Sequence, residues 1–116
     1  MKASNTLVAL CVATAATEAY VITIYSVENC QGTGKRINVY DNSCSVPNFP
    51  GGAQSVRVEK YGAGAQKARF YRNNACVGNP HRGPWDAGKS DNLWEAGKCI
   101  EMGKGYTVQS FTSYNA

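Results

Sequence analysis

The residues of this 116-residue chain that could do chemistry are five cysteines, one histidine, two tryptophans and a scatter of acids. The cysteines say most. Cys11 sits in an N-terminal apolar run, which leaves the even set Cys30, Cys44, Cys76 and Cys99 for two disulfides. A four-thiolate zinc site would usually contain close Cys-x2-Cys pairs, and the sequence has none. Four cysteines allow three pairings. Cys30 and Cys76 hold equivalent places in the repeat described below, each with one later cysteine in its own half. The expected pairs are therefore Cys30 with Cys44 and Cys76 with Cys99, with the cross-repeat pairings left open.

His81 is the only histidine, so it could serve as a single general base but not in a His-pair metal site. Its neighbours Pro80, Arg82, Gly83 and Pro84 place it on an exposed loop rather than in a catalytic pocket. Asp86, Asp91, Glu95 and Glu101 could supply a carboxylate pair for glycoside hydrolysis, yet no spacing singles out two of them. Neither a Gly-x-Ser-x-Gly elbow nor a phosphate-binding glycine loop occurs. The expectation is a protein that is not an enzyme and carries no cofactor or metal. Both tryptophans fall in an echo, Trp85-Asp86-Ala87-Gly88-Lys89 and Trp94-Glu95-Ala96-Gly97-Lys98. Exposed, the two rings would stack on sugars or anchor a protein partner; buried, they would fill a core, as large aromatics commonly do. The candidate binding set is His81, Arg82, Trp85, Lys89 and Trp94.

The elements that would position these residues come from a repeat. Tyr25-x-x-x-x-Cys30-x-Gly32 recurs as Tyr71-x-x-x-x-Cys76-x-Gly78, preceded by Ile24 and Phe70 respectively. Residues 20–25 alternate as a strand, with Val21, Thr23 and Tyr25 on one face and Ile22 and Ile24 on the other. A glycine turn at 31–34 leads to a return strand over 35–40, then a turn at Asp41-Asn42-Ser43 and a proline-rich loop over 46–52. Residues 55–60 close the first motif as a strand with Val56 and Val58 inward. Residues 61–65 read as a linker, 68–71 as the first strand of the second motif, 73–89 as a long loop, and 99–102 and 106–111 as short strands. Helical periodicity is missing after the N-terminal segment, so the fold class is all-β. Tyr25 and Tyr71, at the repeat's aromatic position, are expected to be structural.

Residues 1–19 carry Lys2, the apolar run 7–13 and small residues before Tyr20, which reads as a secretory signal peptide cleaved after Ala19, with Ala15 and Ala16 as alternatives. The apolar run is too short to span a membrane. Removing this segment takes Lys2 and Glu18 from 12 basic and 8 acidic residues and leaves the net charge at +4. That mild basicity suits solubility or weak attraction to anionic walls and membranes. Because the basic residues are scattered, nucleic acid is not an expected partner. The remaining ~97 residues make one domain, small enough for disulfides to matter.

Ile24 through Gly32, with the late strand Ser55-Val56-Arg57-Val58, resembles the Greek-key motif of the βγ-crystallins. The resemblance implies two Greek-key motifs, 20–60 and 68–112, forming a βγ-crystallin-like sandwich. It also implies that Gly32 and Gly78 take a positive φ at the folded hairpins, and that Ser55 bonds to the first hairpin. Cys30 and Cys76 depart from the family by standing where a second aromatic is usual. The serine of the second motif falls in Thr107-Val108-Gln109-Ser110 or alternatively near Ser90. The calcium signature of microbial members falls on Pro50 and Gly51, which supply no side-chain oxygen, so calcium binding is not expected there. Small secreted members include killer-toxin-like and antifungal proteins and a metalloproteinase inhibitor. The expected function is thus a secreted, monomeric, non-enzymatic effector or antimicrobial that binds an extracellular protein, cell surface or cell wall. The alternatives are a protease inhibitor using residues 79–85 and a cell-wall glycan-binding module.

Overall fold

A computed structural model describes residues 18–62 and 65–115, with side chains from Tyr20 onward. Residues 1–17 of the expected signal segment 1–19, and Ala63 and Gly64 of the linker, lie outside the described residues, while Glu18 and Ala19 of that segment open the first strand. Alternation sets the strands. In β1 (Glu18–Tyr25), Tyr20, Ile22 and Ile24 turn into the core, while Val21 and Tyr25 pack on the opposite face. β2 (Lys35–Tyr40) sends in Ile37 and Val39, and β4 (Ser55–Lys60) sends in Val56 and Val58. Both strands end where they were expected.

With β3 (Ser43–Ser45), β5 (Lys67–Tyr71), β6 (Arg82–Asp86), β7 (Cys99–Glu101) and β8 (Ser110–Tyr114), the described residues form two antiparallel four-stranded sheets. Their orders are β2-β1-β4-β7 and β3-β8-β5-β6. Each sheet takes three strands from one half of the chain and a short strand from the other. β3 of the first half pairs with β8, and β7 of the second half pairs with β4. The core lies between the sheets. Phe70 meets Trp85 and Phe111 edge-on at 5.3 and 5.0 Å between ring centroids, and Tyr20 meets Trp94 at 4.9 Å. Burial of each such side chain contributes roughly 1.5–3 kcal/mol. The Tyr20 hydroxyl crosses the core to donate to the Thr112 carbonyl at 2.8 Å. Burial pushes that phenol well above its ordinary pKa, so it stays a neutral donor.

Three elements differ from expectation. Residues 73–89 are not one loop, because β6 runs through them. Pro84 is compatible with that strand because β6 lies at a sheet edge, where the missing N–H faces no partner. β3 falls in what reads as turn and loop. The last strand begins at Ser110 and runs to Tyr114, while Val108 forms only an isolated bridge with Ala53.

Candidate functional site

The repeat in sequence becomes a repeat in geometry at the two hairpins. After β1 the chain folds into a 3-10 turn, Glu28–Cys30, with Asn29 and Cys30 at φ 64 and 52. After β5, Cys76 adopts φ 54. Gly32 and Gly78 follow at φ 80 and 79, a left-handed conformation that glycine takes without a Cβ clash. A buried serine holds each hairpin. Ser55 Oγ accepts from Cys30 N at 2.9 Å and donates to Val27 O at 2.6 Å. Ser110 Oγ accepts from Cys76 N at 3.0 Å and donates to Asn73 O at 2.7 Å. Ser110, one of the two expected placements, is thus the partner of Ser55. Residues 54 and 109 match as well, since Gln54 N donates to Tyr25 O at 2.9 Å and Gln109 N to Tyr71 O at 2.8 Å. Tyr25 and Tyr71 are both buried.

The disulfides do not stay within the repeats. Cys30 pairs with Cys99 and Cys44 with Cys76, at Cα separations of 6.0 and 6.1 Å. The pairs Cys30–Cys44 and Cys76–Cys99 are therefore corrected. The physical reason is the strand exchange: β3 delivers Cys44 to the second sheet, beside the hairpin of Cys76, and β7 delivers Cys99 to the first sheet, beside the hairpin of Cys30.

The indole rings leave the candidate surface too. Trp85 is 4% exposed and Trp94 fully buried, and the two stack at 5.5 Å between centroids. Neither can stack on a sugar; both fill the core, with the Trp94 Nε1 unpartnered among the described residues. His81 is half-buried, its Nε2–H donating to Met102 O at 2.6 Å and its ring 5.0 Å from that of Tyr106. Arg82 donates to the Glu101 and His81 carbonyls at 3.1 and 3.3 Å. Arg72 lies over the Tyr106 ring at 4.8 Å. Lys89 is exposed, 4.0 Å from Asp86.

Three of the four acids considered for hydrolysis serve backbone amides. Asp86 caps Gly88 N, Asp91 accepts from Asp86 N, and the Glu101 carboxylate accepts from Asn29 N at 3.0 and 3.2 Å. Among the described residues no group of three or more His, Cys, Asp or Glu side chains is placed to hold a metal ion. Elsewhere, Glu59 forms a small network with Thr23 Oγ1 at 2.6 Å and Arg57 Nε at 2.8 Å. Partial burial opposes its ionisation, but the Thr23 hydroxyl and the Arg57 guanidinium outweigh that and hold its carboxyl below the ordinary range.

Sequence reasoning missed a groove of about 370 Å³ at the boundary between the motifs. Buried Ile24, Val108 and Phe111 form its base. One wall is the proline-rich loop over 46–51, and the other is Asn74 of the second hairpin with Gln109. Among the described residues, no ionisable side chain lines it. The only local signal was the pair Pro47 and Pro50 around Asn48 and Phe49, which marks a stiff loop but not what it faces. No protein-family model, no curated protein and no solved structure matches this chain.

Proposed function

We propose that the chain is a secreted βγ-crystallin-like domain of two Greek-key motifs. On this reading it acts without catalysis, as a killer-toxin-like effector or antimicrobial that binds an extracellular or cell-surface target. The reading of the fold is supported by the doubled serine-to-hairpin bonding at Ser55 and Ser110. The exchange of β3 and β7 between the sheets supports it as well. Two disulfides suit an oxidising compartment. Among the described residues no helix is long and apolar enough to cross a membrane. The observation that carries the binding role is the open, charge-free groove on a scaffold covalently closed on both sides of the motif boundary. Rigid frames of this kind hold recognition loops at low entropic cost.

The inhibitor alternative stands behind this reading. It needs residues 79–85 as a protruding loop, whereas that stretch runs into β6 and ends at a buried tryptophan.

The test is exposure of yeast, filamentous fungus and plant cells to the purified, oxidised protein, with a reduced and alkylated sample alongside. Growth arrest, death or a defence response that disappears on reduction is the expected result. Silence in all three cell types would overturn the effector reading.

A further inference from the structure

The groove has a chemistry of its own. Three primary amides, Asn48, Asn74 and Gln109, reach it from three separate segments of chain. All three side chains are exposed, and among the described residues none of their amide groups is engaged in a hydrogen bond within the protein. An amide both donates and accepts, which is what a sugar hydroxyl also does. Phe49, half-buried against the core and flanked by Pro47 and Pro50, adds an apolar surface of the kind that sugar C–H faces cover. Among the described residues no ionisable side chain lines the groove, and the Lys35 ammonium beside it is engaged by the Asn48 carbonyl, so a phosphate, sulfate or uronate would find no direct ion partner in the lining. A volume of about 370 Å³ lies within the range of small-ligand sites, ~300–1,000 Å³.

The walls are also held before any ligand arrives. Cys44 lies two residues before Val46 at the start of one wall, and Cys76 lies two residues after Asn74 on the other, so their disulfide clamps the groove across its width. Lys35 Nζ donates to Asn48 O at 3.2 Å. Asn73, next to Asn74, closes its hairpin by accepting from Ala75 N and Val77 N and donating to Val77 O. Gln109 is fixed through its own N–H to Tyr71 O.

We infer that this groove, bounded by Asn48, Phe49, Asn74 and Gln109, is a binding subsite for a neutral oligosaccharide. It rests on the target-binding reading above and names the class of target. The probes are N-acetylglucosamine hexamer, β-1,3-glucan hexamer and mannohexaose, titrated into the oxidised protein and followed by backbone amide shifts and calorimetry. A neutral proline-rich peptide and a polyanionic polysaccharide run in parallel.

The expected result is saturable binding of at least one neutral sugar, with shifts centred on Asn48, Asn74 and Gln109. The double variant Asn74→Ala/Gln109→Ala should weaken it about tenfold or more while leaving Tm and near-ultraviolet dichroism unchanged. The inference fails if none of the three sugars binds or if the double variant binds equally well. It also fails if only the peptide moves these resonances, or if only the polyanion binds and added salt abolishes it. Sugar binding without harm to cells would uphold the groove and remove the effector reading. Harm to cells without sugar binding would do the reverse.

Discussion

The two hairpins are built alike and closed differently. Both turn through a cysteine with positive φ, and both hang from a buried serine with nearly the same bond lengths. The first is then sealed from outside, by a Glu101 carboxylate that comes from the other motif to hold Asn29 N. The second seals itself, through Asn73, and leaves Asn74 open at the edge of the groove. A duplicated backbone device can thus be kept while its surroundings diverge. One copy is then used to join the halves and the other to present a surface.

The largest effect should come from the cross-links. The chain-entropy estimate for loops closed by separations of 69 and 32 residues is about 4 kcal/mol each, slightly more for the longer. Cys30→Ala/Cys99→Ala and Cys44→Ala/Cys76→Ala should each lower stability by about that amount in urea unfolding, and removal of both pairs should leave the chain unfolded. A much smaller loss for one pair would mean that its half is held by other means.

Next come the serines. Ser55→Ala and Ser110→Ala each leave an amide and a carbonyl without their partner, which should cost about 2 kcal/mol. Equal losses would confirm that the two locks are energetically alike; a gap above about 1 kcal/mol would separate them.

Smaller still are the seals. Glu101→Gln should speed hydrogen exchange at the Asn29 amide and leave Ala75 and Val77 unchanged, while Asn73→Ala should do the opposite, each at about 1 kcal/mol. Exchange that rises in both hairpins with either substitution would show that the hairpins open together.

The smallest effect is on acid stability. Because the folded Glu59 carboxyl titrates below its ordinary value of 4.5, its stabilisation is complete above that value and is lost as pH falls through the folded one. Glu59 and Arg57 are partly exposed, so the contribution should stay under about 1 kcal/mol. The place of Glu59 in the first motif is taken by Tyr114 in the second, and Glu59→Gln should flatten the acid limb of the stability curve. An unchanged limb would assign acid sensitivity elsewhere.

Local pattern made the first half readable. Ile37 and Val39 in β2, and Val56 and Val58 in β4, alternate over enough residues to define strand and face together. β3, with three residues, is too short to show a period, and β6 carries Gly83 and Pro84 that read as loop. The disulfide partners and the fate of the tryptophans depend on which sheet a short strand joins, a non-local choice with no mark in the neighbouring residues. The groove was invisible for the same reason, since Asn48, Asn74 and Gln109 meet only after β3 has crossed to the second sheet.

The order of the bridged cysteines along the chain has one more effect. Cys44–Cys76 lies inside the span of Cys30–Cys99. A single cut anywhere between residues 30 and 99 therefore leaves both pieces attached, and a cut in the linker between the motifs is spanned by both bonds. A protease that nicks the linker would yield two bands on a reducing gel and one on a non-reducing gel. The domain can be clipped at its midpoint under oxidising conditions and still hold the two walls of its groove together.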